Sequence, residues 1–163
     1  MNASDAPRTI RFIDIENLTG TGCLCEDAVR VTQVFIDQVS PRCVGDHEVL
    51  AVSHERNAPA AFLGWNGSAQ FLLRPGHDGA DLALLAELEN VEFLATRYNR
   101  VVIASGDHAF APTITALKAA GIDVLVIGPV GHVARQVRLA AGPSCITYVT
   151  TPTDLAARHA LAA

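Results

Sequence analysis

Arg100 to Ala104 (RVVIA) is a run almost entirely of β-branched, apolar residues, and it ends in the polar Ser105-Gly106-Asp107. Such a run is too short for a helix. It suits a strand covered on both faces, as strands of parallel sheets are. Further strand-like runs lie at Thr9–Ile15, Glu48–Val52, Gln70–Arg74, Ile122–Ile127 and Cys145–Val149. Between them lie stretches with helical period. Glu26–Val39 places Ala28, Val31, Phe35 and Val39 on one face, with Pro41 as its stop, and Pro59–Trp65 reads as a short helix. Ala80–Thr96 reads as the longest helix, striped by Leu84, Leu88, Val91 and Ala95. Pro112 opens a further helix, with Ile114 and Leu117 inward and Gly121 at its C′ position. His132–Ala141 follows, and Thr151-Pro152-Thr153-Asp154 caps a last helix.

Strict alternation of strand and helix demands right-handed crossovers and helices on both faces of the sheet. The expected fold is therefore α/β: a three-layer α/β/α arrangement around a mainly parallel, five- to six-stranded sheet, PIN-like or Rossmann-like. At 163 residues the chain has the length of one domain, expected to span residues 1–163 with a core of about 9–150. With half the residues hydrophobic and only 18% charged, extended disorder, collagen and coiled coil are excluded. No apolar run reaches the roughly 18 residues of a membrane span, and the opening MNASDAPR lacks a signal-peptide pattern. The expectation is a soluble, cytoplasmic protein without membrane contact. The net charge of −5 argues against broad, static DNA binding, which calls for a basic face. It leaves room for an enzyme that meets a few phosphates through bound cations. Cys23-Leu-Cys25 has no second pair to complete a tetrahedral metal site, so these thiols, with Cys43 and Cys145, read as buried or idle in a reducing compartment.

Ligands of open parallel sheets bind beyond the carboxyl ends of the strands, and here those ends are rich in acids. Asp14 stands near the end of the first strand, with Glu16 two residues on and so expected on the same side. Asp107 follows the fourth strand. Asp81 precedes Leu84, Leu85 and Leu88 by three, four and seven residues, which sets it on the inward stripe of its helix. Each acid alone has an ordinary reading, as a helix-start or turn residue. Three on one rim repel each other and need a counter-charge. Mg2+ or Mn2+ supplies it through oxygen ligands, and such an ion can activate water and neutralise charge on a phosphodiester.

The motifs around these acids resemble those of a NYN domain, within the PIN-like nuclease superfamily, over roughly residues 9–150. The family's first strand carries an Asp and, three residues later, an Asn; this chain has Asp14 and Asn17. Its second motif, Lys-Gly-Val-Asp at a helix head, is similar to Asp78-Gly79-Ala80-Asp81, and its third, Ser-Gly-Asp-x-Asp-Phe, to Ser105-Gly106-Asp107-His108-Ala109-Phe110. The resemblance implies a metal-dependent ribonuclease, with Asp14, Asp81 and Asp107 as ligands of Mg2+ or Mn2+ and Asn17 as the accompanying polar residue. Two positions depart from it. Ala109 stands where the family has a second Asp, and Asp78 where it has Lys; Asp78, Glu16 or His108 are candidates to compensate. The expected substrate is RNA, single-stranded or in a structured loop, with a homodimer compatible with the reading. The alternatives are a weak or inactive NYN-like domain that binds RNA or a protein partner, and a nucleotide binder.

Other residues have ordinary readings first. His77 and His132, like His108, follow strands and read as loop histidines, with general-base or phosphate contact as the alternative. Arg97, Arg100, Arg135 and Arg138 read as solvated surface, and Trp65 as a core aromatic rather than a stacking platform.

Overall fold

The computed structural model describes residues 8–153. The apolar runs become β1 (Thr9–Asp14), β2 (His47–Val52), β3 (Gln70–Leu73), β4 (Arg100–Ala104), β5 (Asp123–Pro129) and β6 (Ile146–Val149). They form one sheet in the order β3-β2-β1-β4-β5-β6, each pair parallel. The sheet register sets Asp14 beside Ala51 and Ile13 beside Ala104, so β1 and β4 end level with each other.

Helices cover both faces, which makes the fold a three-layer α/β/α sandwich with a six-stranded sheet. The side chains that alternate along the central strands decide which helix packs where. Ile13, Leu50, Val102 and Ala104 meet α1 (Ile15–Thr19), α2 (Glu26–Val39) and α3 (Ala58–Gly64). Phe12, Val49, Val101 and Ile103 meet α4 (Gly79–Glu87), α5 (Val91–Arg97), α6 (Ala111–Ala119) and α7 (Arg135–Ala141). Fully burying each large side chain here contributes roughly 1.5–3 kcal/mol. The C-terminal helix expected from residue 154 onward lies outside the described residues. Among the described residues no helix is long and apolar enough to cross a membrane.

The expected long helix over Ala80–Thr96 is two helices. Asn90 interrupts it by capping α5, its side chain accepting from the Phe93 amide at 2.9 Å. The restart shifts the helical phase, so Leu94 is buried while Ala95 is exposed and Val91 only half-buried. The inward face of α2 also differs from its apolar spacing: Val29, Thr32, Gln33 and Ile36 are buried, whereas Val31 is 53% exposed. Polar residues can face the core here because they are paired. Thr32 donates to the Ala28 carbonyl, and Gln33 exchanges two bonds with the Asn66 backbone. The helix expected from His132 starts at Arg135, because the preceding chain holds the β4 loop instead. The thiols are not buried: Cys23, Cys25 and Cys43 are exposed, Cys145 is half-buried, and all four are free. At the sheet edge, Phe71 and Leu73 of β3 are exposed beside Phe62 and Leu63 of α3.

One charge lies wholly inside. Arg11 of β1 is completely buried and donates to Glu48 of β2, to Asp37 of α2 and to the Ser40 carbonyl at the helix end. Trp65 closes the cluster, its indole N–H donating to Glu48 at 3.1 Å, which makes it a core aromatic. Removing one partner of such a pair strands the other without water. Glu48→Leu is accordingly expected to cost about 3–5 kcal/mol in urea denaturation, and the double change Glu48→Leu with Arg11→Met to recover most of that.

Candidate active site

Neighbouring β1 and β4 send their chains to opposite faces, β1 into α1 and β4 toward α6. Loops that diverge in this way leave a crevice beyond the strand ends, at the switch point of the sheet order. Asp14 ends β1 and is only 5% exposed. It caps α1, accepting from the Asn17 amide at 3.1 Å. Asn17 in turn uses its side-chain oxygen to accept from the Gly106 amide at 3.0 Å, tying the β1 end to the loop after β4. That loop has little freedom. Ser105 is buried and its hydroxyl accepts from the Asp107 amide, and a Cβ on Gly106 would come within 2.6 Å of the His132 carbonyl.

Asp81 arrives from the other side of the crevice on the first turn of α4, and is 7% exposed. The start of that helix is fixed twice. The Ser53 hydroxyl, just past β2, accepts from the Ala80 amide at 2.9 Å. Gly79 lies so close to the Arg74 carbonyl that no side chain fits between them. Asp14 and Asp81 face each other there, close enough for their carboxyl groups to act on one another. Asp107 stands nearer the mouth, 30% exposed, its Oδ1 accepting from the Ala109 amide at 2.8 Å and lying 3.1 Å from His108 Nδ1.

The remaining candidates spread outward. Asp78 lies in the left-handed region (φ 56°), 57% exposed, with His77 Nδ1 at 2.7 Å. His108 is exposed at the rim, as are His77 and His132. Glu16 does not continue the alternation of β1, because the chain turns helical at Ile15. Its carboxylate instead accepts from the Ser53 and His54 amides and from Asn57, bracing the loop after β2. Ser53 and Asn57 were not among the sequence candidates; the only available signal for Ser53 is its place directly after a strand.

Electrostatics separates these acids. Burial, and then the neighbouring Asp81, push Asp14 well above the usual carboxylate range, against the opposing bond from Asn17. Burial and then the charge of Asp107 push Asp81 up to about 6, only partly offset by its bond with Asp14. Burial also acts to raise Glu16, yet the bonds from Asn57, Ser53 and His54 outweigh it and leave Glu16 below its ordinary value. The pair therefore sits in a crevice that penalises its negative charge. Among the described residues, no three His, Cys, Asp or Glu side chains stand close enough to form a ready-made metal cluster. Even so, the donor set suits a hard divalent ion: oxygen atoms alone, excess negative charge, and a buried Asp81 Oδ1 with no hydrogen-bond partner.

The NYN domain family profile matches residues 8–148, and the chain belongs to that family, part of the PIN-like superfamily. It thereby carries a nuclease-like domain of a kind that acts on nucleic acids and typically uses divalent metals. Among solved structures it is similar to a protein of unknown function from Vibrio parahaemolyticus, with 13% identity and a TM-score of 0.59. That likeness spans 94% of this chain and 98% of the other, and it concerns the fold. No curated protein matches the chain.

Asp14 and Asp81 both bind protons more tightly folded than unfolded. The metal-free protein thus gains stability from them at acid pH and loses it as pH rises from the unfolded value of 3.8 through about 6. Asp81→Asn removes one of the two charges. Its thermal midpoint relative to the parent is expected to climb across that interval. Mn2+ at neutral pH is expected to raise the midpoint of the parent and not of Asp81→Asn, as differential scanning fluorimetry would record.

Proposed function

We propose that this chain is a metal-dependent ribonuclease that hydrolyses RNA phosphodiester bonds, with Asp14, Asp81 and Asp107 holding Mg2+ or Mn2+. The observation that carries the reading is the buried Asp14–Asp81 pair at the sheet's switch point, with the charge of Asp107 beside it and an Asp81 oxygen unpartnered. In this reading residues 9–150 act as a single catalytic unit. Four free thiols, three of them exposed, suit a reducing compartment such as the cytoplasm.

Each side chain has a separate task. Asp14 and Asp81, deep in the crevice, and Asp107, nearer the mouth, would hold the ion. Asn17 keeps the Asp107 loop in register with β1 through its bond to Gly106. A bound Mg2+ or Mn2+ supplies the activation of water and the neutralisation of charge building on phosphate. His108, exposed and in contact with Asp107, is placed to pass a proton between solvent and the departing oxygen. Asp78 adds charge near Asp81 from an exposed loop and stands in for the missing acid at 109.

Ala109 favours a second reading, a weak or inactive domain that binds RNA or a protein partner. It is half-buried on the turn after Asp107, where the family's second acid would project. The two readings differ in one assay. Asp107→Asn is expected to abolish Mn2+-dependent cleavage of single-stranded RNA while leaving the circular dichroism spectrum unchanged. Ala109→Asp is expected to raise cleavage, each tenfold gain corresponding to about 1.4 kcal/mol of barrier. A parent whose RNA cleavage is absent in both Mg2+ and Mn2+ would instead support the binding domain.

A further inference from the structure

Most basic side chains of this protein are occupied. Arg11, Arg30, Arg42 and Arg100 are ion-paired, Arg56 donates to a backbone carbonyl, and Lys118 donates to the last carbonyls of α7. Arg8 and Arg97 lie over the rings of Tyr98 and Phe93. Among the described residues, Arg74, Arg135 and Arg138 are the arginines whose side chains have no ion pair, hydrogen bond or ring contact. They are not scattered. The Arg74 carbonyl lies against Gly79, two residues from Asp81, and Arg135 follows Ala134, whose amide donates to the Gly106 carbonyl beside Asp107. In a chain of net charge −5, the backbones at Arg74 and Arg135 thus lie on the two sides of the acid crevice, and Arg138 follows Arg135 on the next turn of α7.

On the α7 side, a shallow groove of about 620 Å³ runs from His108 between α6 and α7. Ala111, Pro112 and Leu139 give it apolar walls, with Leu139 itself 73% exposed, and Thr115 and Gln136 supply the polar groups. His108 borders the groove and also contacts Asp107, so an occupant lies immediately beside the acid site.

Building on the ribonuclease reading, we infer that this groove receives the base next to the scissile phosphate of a single RNA strand, whose backbone is held by Arg135 and Arg138 on one side and Arg74 on the other. A flat apolar slot with one primary amide matches a nucleobase, which offers a π-face to the walls and hydrogen-bonding atoms at its edge. Gln136 carries both a donor and an acceptor for that edge. The charge fits the backbone: phosphates are drawn to free guanidinium groups, while the acid crevice between them repels phosphate unless a cation is present. A base can enter the groove only when unstacked and unpaired, which makes the substrate single-stranded or a loop.

The test is fluorescence anisotropy in the full chain carrying Asp107→Asn, so that no cleavage intrudes. Two labelled probes are compared: a single-stranded oligoribonucleotide, and a ribose-phosphate strand of equal length without bases. Thr115 is exposed, so Thr115→Trp fills the groove from its rim; it is expected to weaken the base-bearing strand about tenfold and leave the abasic strand unchanged. Gln136→Ala, which leaves the space open, is expected to act in the same direction by about threefold, and guards against a folding defect in the tryptophan variant. Arg135→Ala with Arg138→Ala is expected to weaken both strands alike and to reduce the log–log salt slope by about 1.4. If the parent binds and cleaves RNA, yet the groove variants bind the base-bearing strand as it does or weaken both strands equally, the groove inference is overturned alone and the slot is left to a protein partner. If the parent binds neither strand and cleaves nothing, the ribonuclease reading falls with it.

Discussion

Strand β1 is hydrogen-bonded on both sides and covered on both faces, so the ionisable side chains Arg11 and Asp14 have no free path to water. They point to opposite faces, and the two faces treat them differently. Beneath α2 the protein answers Arg11 from within, through Glu48, Asp37 and a carbonyl. Beneath α4 it answers Asp14 with another acid, Asp81. The first arrangement is electrically closed and holds β1, β2 and α2 together. The second is open: the Asn17 amide donates to Asp14, but among the described residues no arginine or lysine pairs with either acid, and in the proposed function a cation offsets their charge. One strand thus anchors the fold on one side and builds the candidate site on the other.

The site is positioned mainly by backbone. Gly79 against the Arg74 carbonyl and Gly106 against the His132 carbonyl are contacts that admit no side chain. Ser53 and Asn17 add two side-chain bonds to backbone amides, from β2 to α4 and from α1 to the β4 loop. The carboxylates therefore ride on segments whose backbone is fixed. This matters because the pair is electrostatically unfavourable when ionised, and a looser crevice would relax by letting Asp81 swing to solvent.

The layering was readable in the sequence because strand-length apolar runs alternate with helical stretches, and RVVIA suits a strand covered on both faces. The acids at the strand ends were readable for the same reason, since strand ends in such a sheet share one rim. Phase was harder. Thr32 and Gln33 are buried on α2 because Asn66, more than thirty residues away, meets Gln33, and no local pattern reports that. Asn90 splits a helix whose apolar stripe looked continuous, since a cap outweighed the propensity of Glu89 and its neighbours to stay helical. Glu16 departs from the side its spacing from Asp14 predicts, because alternation holds only while the chain is extended and β1 gives way to helix at Ile15. The burial of Arg11 has no local signal: its partners Asp37, Ser40 and Glu48 lie 26 or more residues along the chain.

Edge strand β3 has consequences of a different kind. Its four residues pair with β2 on one side only, and Phe71 and Leu73 are exposed next to Phe62 and Leu63. A bare strand edge bordered by apolar side chains can add further strands, and its shortness is the main brake on that growth. The same sheet that concentrates charge at its carboxyl rim thus presents, among the described residues, an apolar edge at β3. At high concentration that flank, rather than the charged rim, is where two copies can join edge to edge.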